Sequence, residues 1–425
     1  MKVRRWSMIA LHWGVALVGF VSMNPYFLWG HQKAAYAVAS AVVVLACLGC
    51  FRNLVFTRER IALSVAAALF LIYLSVLPKV YGGVTRWFFL IPFTLAALHL
   101  GREDLQRAFG NFQWLFAVSL LPGMAVWLWL AAGLPITFEW IYPPSEIVQR
   151  GPTPYFMRPG VVLLPTNGML LPNGGTIFRL CGVYDEPGTV GTIAALTLAA
   201  TRYRFDWKGA VCFVAGIMSL SLAFAVLTII GLAATALAQR RFALLALALL
   251  SGLVAAVPAL GVYPKISDPD RWTSITIILP PSHPHYRESQ AAGRPFGLWD
   301  DAEIRQSQVL DNRALPAMRK LFNEYAATGP RTLLFGLASN ASNVHAGDSA
   351  SWLQIPVNYG IAGFAWLFVL FAAPLVWLWR RRELDLLTAV FCLLFLMSFY
   401  QRPVIWLPVP LLIYLAGVGV PRKAA

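Results

Sequence analysis

The chain has 425 residues, of which 58% are hydrophobic and only 12% charged, and its mean hydropathy is +0.64. About a quarter of the residues of a soluble domain are charged, so this composition excludes a soluble globular protein and predicts an integral membrane protein. The net charge of +15 would suit a nucleic-acid-binding protein, but the basic residues stand in short clusters between apolar runs, which indicates a topology signal instead.

The apolar runs define the predicted helices. A membrane span needs about 20 residues, and the stretch 208–238 is too long for one span. We therefore expect two short helices there, joined by a tight turn near Ser219 and Ser221. With this division the chain has about twelve candidate spans: 7–29, 34–51, 61–78, 83–100, 113–134, 188–202, 208–220, 222–238, 242–262, 352–378, 384–400 and 403–420.

Twelve spans place every basic cluster on one side, which the positive-inside rule assigns to the cytoplasm. Both termini are then expected in the cytoplasm, and no cleavable signal peptide is expected. The clusters are Arg4 and Arg5; Arg52, Arg58 and Arg60; Arg202, Arg204 and Lys208; Arg240 and Arg241; Arg380 to Arg382; and Arg422 with Lys423. Only scattered basic residues fall on the outer side, such as Lys33, Lys79, Arg86 and Arg402.

Two long polar segments are expected to face outward. Proline and glycine are dense in the first, which favours an extended loop. The second predicts an amphipathic helix over about 301–327, kinked at Pro316. The predicted organisation is a five-helix membrane region at 1–134, an outer loop at 135–187, central membrane helices at 188–262, a second outer loop at 263–351, and a three-helix membrane region at 352–425.

The first candidate site lies where the first loop re-enters the membrane. It combines Arg179, Asp185 and Glu186 with several glycines, which allow the close approach of a ligand or a neighbouring helix. The two acids could simply complement the dipole of a helix that begins at Pro187. The functional hypothesis is that Glu186 is held at the membrane surface while Arg179 contacts an anionic substrate.

The second candidate site is a loop of small, hydrogen-bonding residues that presents His345 and Asp348. Histidine is the side chain best suited to move protons near neutral pH, and Asp348 could orient it or cap the next helix. Arginines ahead of this loop suit pyrophosphate oxygens, although each could equally belong to a solvated helix face. These basic residues are Arg305, Arg313, Arg319, Lys320 and Arg331.

Other chemistries have weak signals. His283 and His285 lack a third ligand at a recognisable spacing, so no metal site is expected. Cys47 and Cys50 lie in an apolar helix and are interpreted as packed cysteines rather than a redox pair. No nucleotide-binding or nucleophile signature occurs, and we expect no cofactor.

Three motifs occur in order along the chain. They are Arg179-x-x-Gly182-x-x-x-Glu186-Pro187-x-x-x-Gly191, then Arg313, then Gly336 … His345 … Trp352-Leu … Tyr359-Gly360-Ile-Ala-Gly363-Phe. Together with the topology, they resemble the O-antigen polymerase and ligase superfamily and the related exopolysaccharide repeat-unit polymerases. The resemblance implies a GT-C-like helical fold in the bacterial inner membrane. It also implies metal-independent glycosyl transfer, at the periplasmic face, from an undecaprenyl-diphosphate-linked donor to a glycan acceptor.

The same resemblance implies roles for individual residues. His345 and Glu186 are the expected catalytic residues, with His345 as the base on the acceptor hydroxyl. The residues expected to bind diphosphate or glycan are Arg179, Arg313, Arg319, Arg331 and Asp348. A flippase and chain-length regulators are the implied protein partners, together with the lipid bilayer, and no nucleic acid is expected.

One departure separates the two activities of this superfamily. Ligases commonly carry Ser-Arg at the turn between the two short helices, where the arginine contacts the donor diphosphate, whereas this chain has Ser219-Leu220-Ser221. The missing arginine and the Glu186-Pro187 motif favour a polymerase, unless another cation replaces the arginine. A transporter is the main alternative, but the spans carry few charges and show no repeat. A non-catalytic scaffold is the second alternative.

Overall fold

The computed structural model describes residues 2–80, 87–132, 134, 136–141, 156–165, 168–170, 176–240, 243–260, 275–278, 316–346 and 351–419. Within these residues the chain forms fifteen α-helices. They are α1 (Lys2–Val21), α2 (Gln32–Cys50), α3 (Arg58–Val76), α4 (Ile91–His99), α5 (Arg102–Ala131), α6 (Pro187–Ala200), α7 (Trp207–Met218), α8 (Leu222–Gln239), α9 (Ala243–Leu260), α10 (Pro316–Ala326), α11 (Pro330–Phe335), α12 (Ala341–Ala346), α13 (Gln354–Arg380), α14 (Leu386–Gln401) and α15 (Pro408–Val418).

The helices coincide with the apolar runs of the sequence. Over the described residues, five of them are long and apolar enough to cross a membrane, and seven more apolar helices are shorter. The chain is therefore a predominantly helical, membrane-embedded protein. The expected break in 208–238 is confirmed, because α7 ends at Met218 and α8 begins at Leu222. Leu220, between them, has a left-handed backbone with φ of 49°.

Two predicted boundaries were wrong. The run 7–29 does not stay helical to its end: α1 stops at Val21, and Asn24 has a φ of 56° just before Pro25, a geometry that no α-helix allows. Conversely, α5 begins at Arg102, eleven residues before the predicted start at 113. The prediction began only where the apolar run begins. The polar first turn is nevertheless helical, because the helix dipole favours acidic residues such as Glu103 and Asp104 at a helix N-terminus.

Basic residues of three clusters, Arg60, Arg202 and Arg381, lie at one end of the helical assembly, which we call the basic face. Arg60 Nη1 donates to the carbonyl of Leu100 at 2.6 Å, which joins α3 to the end of α4. Arg202 Nη2 donates to Asp385 at 2.9 Å, and that same aspartate caps α14. Arg381 bridges to Glu59 at 2.9 Å. These ties bring the predicted cytoplasmic helix ends together.

The core is built around α6. Every residue of this helix is buried except Thr189, which is half-buried, and a helix that is apolar all round belongs in the interior. Its neighbours are α7, α8, α14 and α15. A Cβ at Gly191 would overlap Ser221, so α6 approaches the turn between α7 and α8 more closely than any side chain would allow.

The outer loops contain strands, so the prediction of an extended loop over 135–187 was wrong for the described part. Their β-branched and aromatic residues, such as those of Ile136–Ile141, favour strands. The strands are β1 (Ile136–Ile141), β2 (Phe156–Arg158), β3 (Leu164–Pro165), β4 (Gly168–Leu170), β5 (Thr176–Phe178) and β6 (Ile275–Ile278). One sheet has the order β3-β2-β1-β6, and β4 with β5 forms a separate antiparallel pair.

The second loop contributes to this sheet as well. Its strand β6 pairs in parallel with β1, with Ile136 opposite Ile275, whereas β2 pairs antiparallel to β1 with Glu139 opposite Arg158. The two loops, which the sequence analysis treated as separate, are thus joined through their backbones. The predicted helix at 301–327 is described only from Pro316, where α10 begins, and residues 301–315 lie outside the described residues.

The short helices of the second loop pack on the start of α13. Met318 and Leu321 are buried in a cluster that also includes Ala341 and Val357. At the crossing of α11 and α13, Gly336 has a φ of 86° and Gly360 a φ of 68°. A Cβ at Gly360 would overlap the carbonyl of Leu334, so two backbones touch there directly.

We predict that Gly360→Ala destabilises the protein by about 3 kcal/mol or more, because it adds a backbone overlap to a left-handed conformation. Gly30→Ala is the matched control: Gly30 has a φ of 78° but no atom within 4 Å of its Cβ position, so only about 1 kcal/mol of conformational cost is expected. Thermal unfolding of the purified protein in detergent measures both. Equal losses for the two variants would contradict the proposed backbone contact.

Candidate functional site

Several connecting segments converge at the start of α6, at the end of the assembly opposite the basic face. The Tyr26 amide, between α1 and α2, donates to the carbonyl of Val183 at 2.9 Å. The Leu180 amide donates to the carbonyl of Met218 at 3.0 Å. The start of α15 joins them through the hydrogen bond from the Val409 amide to Ser22 Oγ at 3.1 Å. We call this convergence the outer site.

Asp185 lies inside the outer site, just before α6. Its carboxylate accepts a hydrogen bond from Asn24 Nδ2 at 2.9 Å, and the side-chain amide of Gln32 donates to Asn24 in turn. Burial and then the neighbouring charge of Glu186 raise the pKa of Asp185, and Arg402 and Asn24 oppose them, so that the pKa is about 6. A carboxyl group with such a pKa exchanges its proton near neutrality.

Glu186 forms an ion pair with Arg402, which lies between α14 and α15. Glu186 occupies the N-cap position of α6, but its side chain makes no capping hydrogen bond. The interpretation of Glu186 as a simple dipole partner is therefore incomplete, because its carboxylate is directed to an arginine from another segment. Arg402 Nε is buried and has no hydrogen-bond partner among the described residues, so part of this guanidinium is available to an acceptor.

Arg179 lies at the turn between α7 and α8. Its Nε donates to the carbonyl of Ser219 at 3.1 Å, and its side chain is half-buried. The Ser221 hydroxyl at the same turn is buried without a hydrogen-bond partner in the described part of the chain. The turn that lacks its own arginine thus receives a guanidinium from the first outer loop.

His345 is exposed and lies in the last turn of α12. That short helix is held firmly: the Ser342 amide donates to Asn358 Oδ1, and Asn358 Nδ2 donates to Ser342 Oγ, both at 2.9 Å. The next residue, Tyr359, packs edge-on against Trp406 at 5.5 Å between ring centroids. A chain of contacts through α13 therefore connects the helix of His345 to the segment of Arg402.

The remaining predicted residues are distributed differently. Arg319 on α10 and Arg331 on α11 are exposed on the helices of the second loop. Arg313 and Asp348 lie outside the described residues. The structure thus gathers Arg179, Asp185 and Glu186 at one site, and it places His345 on a separate, rigidly held helix.

Sequence reasoning missed the importance of Arg402, which it counted only as a scattered outer basic residue, and of Asn24 and Gln32. A signal for Arg402 was present. It is an arginine directly after an apolar run on the side where short loops carry few basic residues, and such an exception indicates a specific partner. For Asn24 and Gln32 the pattern of the chain offers no comparable signal.

No family model, curated protein or solved structure matches this chain. Within the residues that the structure describes, no group of three or more His, Cys, Asp and Glu side chains could hold a metal ion. The candidate site therefore rests on its own geometry, and the resemblance to a family rests on the motifs alone.

We predict that the contribution of Asp185 to stability falls as the pH rises from about 4 to 6. The raised pKa of Asp185 means that the folded state holds this proton more tightly than the unfolded state, so deprotonation costs stability, about 3 kcal/mol above pH 6. Asp185→Asn should remove this part of the pH dependence, because an amide does not titrate and can keep the hydrogen bond to Asn24. Thermal unfolding between pH 4.5 and 7.5 measures the difference.

Glu103→Gln serves as the control for that experiment, because the Glu103 side chain is 85% exposed at the basic face. Its thermal stability should depend on pH as that of the wild type does. If the stability of Asp185→Asn also keeps the wild-type dependence on pH, the proton assigned to Asp185 is held elsewhere.

Proposed function

We propose that this chain polymerises undecaprenyl-diphosphate-linked oligosaccharide repeat units into O-antigen or exopolysaccharide at the periplasmic face of the bacterial inner membrane. The observation that carries the proposal is the outer site, where Arg179, Asp185, Glu186 and Arg402 gather at the start of a buried helix. In this proposal all twelve apolar helices span the bilayer in a GT-C-like arrangement, and the basic face is cytoplasmic.

The outer site suits a lipid diphosphate. Arginine guanidinium groups bind phosphate oxygens in a planar fork, and the N-terminus of α6 adds a positive dipole end. Arg402 can turn from Glu186 to the diphosphate, since its Nε has no hydrogen-bond partner among the described residues. The site lies at the end of the helical assembly, so the headgroup would be bound there while the lipid tail stays in the bilayer.

The reaction needs a base and a stabilised leaving group. The acceptor hydroxyl oxygen forms a bond to the anomeric carbon, the bond from that carbon to the diphosphate oxygen breaks, and its electron pair leaves with the diphosphate. Arg179 and Arg402 would neutralise this charge. The hydroxyl proton would pass to His345. Glu186 would be the second catalytic residue, once diphosphate has displaced it from Arg402.

A ligase that transfers finished polymer from undecaprenyl diphosphate to lipid A-core is the second candidate. The observation that favours it is the position of Arg179, which supplies a cation to the turn at Ser219, where ligases carry their own arginine. The Glu186-Pro187 motif still favours the polymerase. The two activities differ in what accumulates when the site is damaged, so they can be separated in cells.

We predict that His345→Ala lowers glycan transfer by about a hundredfold or more, as expected for the loss of a general base. The measurement is the length and attachment of surface polysaccharide in cells that depend on this chain. For a polymerase, the variant should leave single repeat units. For a ligase, it should accumulate lipid-linked polymer of normal length.

His31→Ala is the matched control, because His31 is also an exposed histidine at the outer end of the helices and should leave the product unchanged. Arg402→Gln should reproduce the loss caused by His345→Ala through weaker donor binding. Normal chain length and normal attachment in both His345→Ala and Arg402→Gln would refute the polymerase and the ligase alike.

A further inference from the structure

A groove opens on the basic face, far from the outer site, between α1, α5 and α7. It has a volume of about 510 Å³, within the range of small-molecule sites. Its lining contains three indoles and two cations and is formed by Trp13, Arg107, Gly110, Asn111, Trp114, Trp207 and Lys208. None of these residues has a role in the proposed glycosyl transfer.

One side of the groove is a single face of α5. Arg107, Gly110, Asn111 and Trp114 follow one another at the spacings i, i+3, i+4 and i+7, which place them on the same side of a helix. Arg107 and Trp114 are separated by about 10 Å along the helix axis. The groove is therefore cationic near the helix start and aromatic deeper toward the middle of the helix.

The cations of the groove are able to change partners. Arg107 is 63% exposed and pairs with Asp104 at 3.3 Å and Glu103 at 3.6 Å, and Lys208 lies 3.8 Å from Asp206. The pair of Arg107 with Glu103 is exposed and contributes little, and the 3.8 Å between Lys208 and Asp206 is long for a charged hydrogen bond. A phosphate can therefore replace a carboxylate at small cost. The lining includes both cations and none of the three carboxylates.

The aromatic part favours a lipid over a soluble anion. Trp13 and Trp114 meet edge-on at 6.0 Å between ring centroids, and the exposed fractions of Trp13, Trp114 and Trp207 are 37%, 43% and 50%. Indoles concentrate at the boundary between headgroups and hydrocarbon. A free phosphate would use only the cationic end, whereas a phospholipid would fill the whole depth.

We propose that this groove binds an anionic glycerophospholipid from the adjacent leaflet. Its phosphate lies between Arg107 and Lys208, Asn111 donates a hydrogen bond near the glycerol, and the first part of an acyl chain lies against the indoles of Trp13 and Trp114. Basic pockets between membrane helices are suited to such headgroups. The proposal does not depend on glycosyl transfer, because the groove and the outer site are at opposite ends of the protein.

The test is native mass spectrometry of the full chain in detergent, titrated with phosphatidylglycerol and separately with phosphatidylcholine. The wild type should retain phosphatidylglycerol preferentially. Arg107→Gln combined with Lys208→Gln should lower its affinity about tenfold, as expected from the loss of hydrogen bonds between charged groups. Arg52→Gln, which removes an exposed cation of the same face outside the groove, should bind like the wild type.

A second variant tests the shape of the groove without changing its charge. Gly110 has no atom within 4 Å of its Cβ position, so Gly110→Phe can fill the groove without distorting α5. It should lower the affinity for phosphatidylglycerol about tenfold, because the ring excludes the glycerol and the acyl chain. Its thermal unfolding should match that of the wild type, which shows that any loss of lipid is not a loss of fold.

Four results would overturn the proposal. Equal retention of the two lipids would show that the groove does not select an anionic headgroup. If Arg52→Gln lost as much affinity for phosphatidylglycerol as the double variant, lipid binding would depend on net charge alone. Unchanged affinity in Gly110→Phe, or full competition by glycerol phosphate at the concentration of the lipid, would show that only a surface anion contact exists.

Discussion

The complete burial of α6 is the constraint on which the packing and the outer site both depend. A helix with no exposed face needs small residues wherever a neighbour crosses it closely, and Gly191 meets that need at the turn carrying Ser221. It also cannot hide the polar groups at its own N-terminus behind its side chains. Segments distant in the sequence converge just before Pro187, where Asn24 binds Asp185 and Arg402 pairs with Glu186.

The electrostatics of the outer site follow from that burial. Two adjacent carboxylates, Asp185 and Glu186, stand where water is partly excluded, so the pKa of Asp185 rises to about 6. Unpaired charges are costly in such a place, and the chain meets the cost with an amide at Asn24 and a guanidinium at Arg402. The ion pair of Glu186 with Arg402 is only half-buried. An anionic ligand can therefore take the place of Glu186 on the guanidinium.

The sequence predicted the helices well because the membrane imposes a strong local signal: length, apolarity and the side on which basic residues fall. Even the break near Ser219 followed from the length of the apolar run 208–238, and the placement of the basic residues agreed with it. The strands β1 and β6 were missed because each is short and finds its partner in a different loop, which no local pattern records. The pairing of Glu186 with Arg402 was missed for the same reason, since the two residues meet only after α6 and α14 have packed.

The parallel pairing of β1 with β6 has a mechanical consequence. Four residue pairs join the two outer loops, so a displacement of one loop pulls on the other. A rearrangement of the first loop at β1 would therefore also move β6, or break the hydrogen bonds between the two strands.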